Sequence, residues 1–86
     1  MKLTPQARFL FEMLSRPPAS DVSILAIAVS MSGAKAAGWT PRQQQQRVGN
    51  RVSVLNKQLE KEGASVRVRP GDARRSYRIK PIELFE

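Results

Sequence analysis

Apolar residues along this chain follow two different periods. Up to Leu59 they recur mostly every three or four positions, and from Val66 to Ile79 they alternate with basic or polar ones. The first spacing belongs to helices and the second to strands. The longest helical stretch is Thr40–Gly63, TPRQQQQRVGNRVSVLNKQLEKEG, in which Val48, Val52, Leu55 and Leu59 make one stripe. Thr40 suits the N-cap, because its hydroxyl can accept an orphan N–H of the first turn. Pro41 suits the first helical position, where a missing N–H costs nothing. Gly63 suits the left-handed position just past the end. The spacing therefore predicts one long helix over about 41–62. At about 100° per residue its far face carries Gln43, Gln46, Arg47, Asn50, Ser53, Val54, Lys57 and Lys61.

Thr4-Pro5 repeats the same start signal. Ala7, Leu10, Phe11 and Leu14 follow at helical spacing, widened by Phe9 and Met13, and Pro17-Pro18 bars continuation. A helix over about 5–15 is expected, with its aromatic residues in the core. Ser20-Asp21 offers the next cap. The run VSILAIAVSM after it is apolar on nearly every side, so a buried strand is open to it. The cap and the alanines favour a buried helix over about 21–31. Ser32–Trp39 is a connector of small residues with room for one helical turn at Ala34–Ala37, and Trp39 is expected to plug the core beside the long helix. After Gly63, Val66 and Val68 alternate with Arg67 and Arg69, and Tyr77 and Ile79 with Ser76, Arg78 and Lys80. Pro70-Gly71-Asp72 is strong turn chemistry. Residues 65–80 thus read as a β-hairpin with arginine on its outer face and at its tip. The tail 81–86 offers Ile82, Leu84 and Phe85 to cover an edge or meet a partner.

Composition narrows the chemistry. The chain has 86 residues, 41% of them hydrophobic, enough for one modest domain core. It has no cysteine and no histidine. Thiolate metal sites and the commonest general base are therefore absent, and the seven carboxylates form no spaced pair. No enzyme activity, metal or cofactor is expected. No run is long enough for a membrane span and the start lacks a signal-peptide core, so a cytoplasmic protein is expected, with no membrane partner. The formal charge is +8, from 15 Lys+Arg against 7 Asp+Glu. Residues 63–80 alone carry six basic groups and one acidic group. Basic charge gathered on one part of a small chain suits a polyanion surface.

The order helix, helix, long helix, arginine-rich hairpin is that of a winged helix, the helix-turn-helix variant whose hairpin stands beside the third helix. Val48–Leu59, VGNRVSVLNKQL, resembles the recognition helix of the effector domains of OmpR-type response regulators. Those read approximately V-x-x-H-[IV]-S-x-L-R-[RK]-K-L. Val48, Val52, Ser53, Leu55, Lys57 and Leu59 fall on matching positions, and Val66–Arg69 and Tyr77–Ile79 resemble the wing strands. The match covers about residues 48–80. The chain departs from the pattern at Val54, where the family has an arginine that often reads bases. It departs again at Gly49, in a longer wing, and in lacking the leading four-stranded sheet and the receiver domain. The resemblance implies an α+β winged helix-turn-helix fold and a DNA-binding function, without a phosphorylation-driven mechanism.

On that reading Gln43, Gln46, Arg47, Asn50, Arg51, Ser53 and Val54 face bases. Gln and Asn match adenine, Arg matches guanine, and valine can touch a thymine methyl. Arg47 and Arg51 are equally suited to phosphate. Arg42, Lys57 and Lys61 are expected on phosphates, with Arg67, Arg69, Arg74, Arg75 and Arg78 on the wing, where the two tip arginines can enter the minor groove. The expected function is sequence-specific binding of double-stranded DNA by a small bacterial or phage transcription regulator. The alternative is a winged-helix module that docks on a protein such as RNA polymerase or a nuclease. A dimer on DNA would halve the demand on each wing and helix, and the sequence leaves the oligomeric state open.

Overall fold

A computed structural model describes residues 2–15, 21–71 and 75–82. The described chain is α+β: three α-helices and a small antiparallel three-stranded sheet. The elements are α1 (Pro5–Ser15), β1 (Val22–Ser23), α2 (Ile24–Ser32), a 3-10 helix (Gly33–Gly38), α3 (Pro41–Lys61), β2 (Val66–Pro70) and β3 (Ser76–Pro81).

The helix ends follow from local chemistry. Thr40 caps α3 as expected, and does more. Its Oγ1 accepts the Gln43 N–H at 3.1 Å while its own N–H donates to Gln43 Oε1 at 3.0 Å, a reciprocal capping box. At the other end Gly63 adopts φ 68°. Its N–H reaches the Glu60 carbonyl at 3.1 Å, and the Ala64 N–H reaches Leu59 at 2.9 Å. Those two bonds make a Schellman closure, which needs the left-handed residue that glycine supplies most cheaply. Thr4 caps α1 by accepting the Ala7 N–H at 3.4 Å. The Pro17-Pro18 stop lies outside the described residues.

The second helix begins later than the sequence suggests. It spans Ile24–Ser32 instead of about 21–31. Val22 and Ser23 are drawn into backbone pairing, Val22 with Tyr77 and Ser23 with Ser76. Ser23 is then the N-cap, accepting the Ala26 N–H at 3.0 Å. The expected cap at Ser20-Asp21 is thus displaced by three residues, and Ser20 is outside the described residues. The helix is also less buried than its apolarity implies. Ile24, Ile27 and Ala28 are buried, whereas Leu25 and Val29 are 49% and 42% exposed. The connector turn is longer than expected, a 3-10 helix over Gly33–Gly38 with Ala36 buried.

The hairpin pairs Val66 with Pro81, Arg67 with Lys80, Val68 with Ile79, Arg69 with Arg78 and Pro70 with Tyr77. Strand β3 is central and β1 closes its other edge, so the order is β1-β3-β2. The third strand was not expected, because two residues carry too little pattern to show a period. Pro70 is tolerated because it ends an edge strand. One face of the hairpin turns Val68 and its neighbours onto the helices. The other presents like charges directly opposite each other, Arg67 against Lys80 and Arg69 against Arg78.

The core joins Ala7, Leu10 and Leu14 of α1, the buried face of α2, Ala36, Val48, Val52, Leu55 and Leu59 of α3, and Val68 of β2. The α3 stripe is the one read from the sequence. Burying it against elements on both sides leaves the polar face outward. Phe9 departs from expectation: it is 46% exposed, and Phe11 is half-buried. The core is narrow, and Ala7, Leu10 and Leu14 already fill the contact of α1 with α3.

Candidate nucleic-acid interface

The site is the outward face of α3 with the hairpin beside it. Gln43, Gln46, Asn50, Ser53 and Lys57 follow one another at intervals of three, four, three and four residues, so they form one ridge along the helix. All are exposed, as are Arg47, Arg51, Val54 and Lys61. The 21 residues of α3 make a rod about 31 Å long. Of the two acidic residues at its C-terminal end, Glu62 is the C-cap, and Glu60 continues the ridge one turn beyond Lys57, on the wall of the hairpin-side cleft.

Helix α1 and the hairpin flank the ridge on opposite sides. On the α1 side, Gln58 accepts the Thr4 N–H at 3.0 Å and Arg51 donates to Gln6. The Lys2 N–H also donates to Glu62. On the hairpin side, Asn56 clamps the edge strand. Its Nδ2 donates to the Val68 carbonyl at 3.1 Å and its Oδ1 accepts the Val68 N–H at 2.8 Å. An amide side chain here takes the place of a neighbouring strand and fixes the angle between helix and hairpin. A cleft of about 480 Å³ opens between them, lined by Gly49, Ser53, Lys57, Arg67, Arg69 and Tyr77 among others.

The turn end of the hairpin is braced by Asp21. Its Oδ2 accepts from Ser76 Oγ at 3.1 Å, and its Oδ1 lies 3.3 Å from Arg78 Nε. Gly71 passes close beside this contact: a Cβ there would stand 2.2 Å from Asp21 Oδ2 and 2.3 Å from Ser76 Oγ. Only a residue without a side chain fits without displacing them. Asp21, expected as a helix cap, therefore serves the sheet instead.

The structure divides the candidate residues into two groups. Several side chains expected on the ligand are already engaged within the chain. Gln43 closes the capping box, and Arg47 lays its guanidinium over Trp39, 4.7 Å from the ring centroid. Arg51 is held by Gln6, Arg67 donates to the carbonyls of Ala64 and Val66 at 2.9 and 2.7 Å, and Arg78 pairs with Asp21. Gln46, Asn50, Ser53, Arg42, Lys57, Lys61, Arg69 and Arg75 stand exposed on the surface. Arg74 lies outside the described residues. Trp39 is half-buried against the core, as expected of a plug, and Arg47 covers its ring.

Val54, in place of the arginine that the resemblance expects, lies on the α1 side of the ridge. With Phe9, Met13 and Met31 it lines an apolar cleft of about 130 Å³. Asn56 and the Asp21 brace were missed in the sequence. Asn56 occupies another arginine position of the family pattern, and its strand-facing role depends on a residue twelve positions away. Among the described residues no three or more His, Cys, Asp or Glu side chains gather as a metal site, and no helix is long and apolar enough to cross a membrane. Comparison with protein-family models, curated proteins and solved structures found no match to this chain.

Proposed function

We propose that the chain is a winged-helix domain that binds double-stranded DNA as a small transcription regulator, with α3 in the major groove and the hairpin as the wing. The observation that carries this reading is the α3 ridge: amides, a hydroxyl and a lysine in helical register on a rod whose opposite side is buried from Val48 to Leu59. A major groove admits one α-helix, and such side chains match base edges and phosphates. The hairpin adds support. Like charges directly opposite each other on a sheet are destabilising, yet two such pairs are built into its outer face. Asp21 offsets Arg78 in one pair, and a polyanion would relieve the rest of the repulsion. The cleft between helix and wing is lined by Lys57, Arg67 and Arg69 against one carboxylate, Glu60, an excess of basic groups that suits a phosphate strand.

Binding measured against salt tests the reading. About six phosphate contacts predict that log affinity falls with log salt at a slope near −5. Retardation of duplex DNA at low salt with that slope is expected. A flat response, or no retardation, would remove the proposal.

A second reading, a docking module for a protein such as RNA polymerase, draws on the apolar cleft beside α1, where Phe9 and Val54 are 46% and 49% exposed. In that reading the chain has no sequence-specific DNA readout: it predicts no retardation of duplex DNA at low salt, and capture of the polymerase that charge on the cleft, as in Val54→Lys, abolishes.

A further inference from the structure

The exposed side chains of α3 belong to two classes that read different bases. Arginine pairs with O6 and N7 of guanine, while glutamine and asparagine pair with N6 and N7 of adenine. The fold treats the two classes differently. Arg47 is stacked on Trp39 and Arg51 is tied to Gln6 of α1, so both guanidinium groups are drawn off the midline of the ridge. Arg42 lies in the first turn and, by helical phase, on the hairpin side, in line with Glu60. The amides are also sorted. Gln43 is occupied by the capping box, Gln44 by the Trp39 carbonyl at 3.2 Å, Asn56 by Val68 and Gln58 by Thr4.

Gln45 is exposed but falls, by helical phase, about 120° from the middle of the ridge, which leaves two amides on the midline, Gln46 and Asn50, one helical turn apart and both exposed. A turn of four residues advances about 6 Å, close to two base steps of about 3.4 Å each. Ser53 follows on the same ridge, able to donate or accept at either base type. We infer that α3 selects A·T pairs, with Gln46 and Asn50 as the specificity-determining residues, each gripping one adenine through N6 and N7. This rests on the DNA-binding reading and adds to it the class of base that is read.

The test is selection of duplexes by the whole chain from a random pool, followed by binding to the selected duplex with 7-deazaadenine at single positions. That base lacks the N7 acceptor and still pairs with thymine. The expected result is a consensus with adenines at its core. One 7-deazaadenine substitution there should weaken binding within the roughly 5- to 150-fold that a bidentate pair supplies. Gln46→Ala and Asn50→Ala should each lose the preference at one adenine without changing the melting temperature, and Arg47→Ala should keep both preferences. A consensus of guanines that depends on Arg47 would overturn the inference and leave DNA binding standing. Salt-dependent binding with no enriched sequence would do the same. Failure to retain any duplex at low salt would overturn both.

Discussion

Two residues of α3 carry opposite lessons about stability. Asn56 satisfies both backbone groups of Val68, a buried strand residue. Asn56→Ala leaves that N–H and carbonyl without their partner, which costs about 1–3 kcal/mol. A denaturant titration should show that loss, whereas Asn50→Ala, on the exposed ridge, should leave the midpoint unchanged. Gly49 is the reverse case. A glycine inside a helix costs about 1 kcal/mol relative to alanine. An added Cβ would meet only Tyr77 Oη, at 3.7 Å, an ordinary contact distance. Gly49→Ala is therefore expected to stabilise by about 1 kcal/mol, raising the melting temperature by several degrees. The sequence marks Gly49 as an oddity, but whether its side is crowded is a tertiary fact.

At the scale of the element, α3 was legible almost to its ends. Its cap, stripe and closing glycine are local signals within one turn of the positions they govern. Thr40→Ala removes the side-chain acceptor for Gln43 and should cost about 1 kcal/mol, read as a lower melting temperature. Helix α2 was less legible. Its first residues are claimed by β3, a partner more than fifty positions away in the chain, and no window of local sequence carries that pairing. The hairpin was visible from its alternation, and its register explains why the alternation matters. Val68 and Ile79 share one face, and the paired basic residues share the other.

The whole molecule carries +8, and its hairpin sets basic residues against each other. Self-repulsion of this kind destabilises a compact state and is screened by salt. Raising salt from about 10 mM to about 200 mM should raise the melting temperature of the free chain, while the same change weakens DNA binding. A thermal melt followed by circular dichroism checks the first and a retardation series the second. Opposite signs for the two responses would tie the repulsion to the proposed surface. The same partition applies to the site. The sequence placed fifteen residues on a DNA surface as a set. The structure engages Gln43, Arg47, Arg51, Arg67 and Arg78 elsewhere in the chain and leaves Gln46, Asn50, Ser53 and Lys57 in one exposed line.

What the sequence determined by itself were the features set by neighbours within a few residues: the α3 cap and stop, the buried stripe, the strand alternation, and the absence of histidine and cysteine. These follow from backbone geometry and composition, which need no partner. Only the tertiary structure decided which polar groups face solvent with their hydrogen-bonding capacity unspent. That depends on contacts between distant segments: Asn56 with Val68, Asp21 with Ser76 and Arg78, Arg51 with Gln6. A side chain's identity gives the bonds it can make, and packing decides whether those bonds are made within the chain or left for a partner.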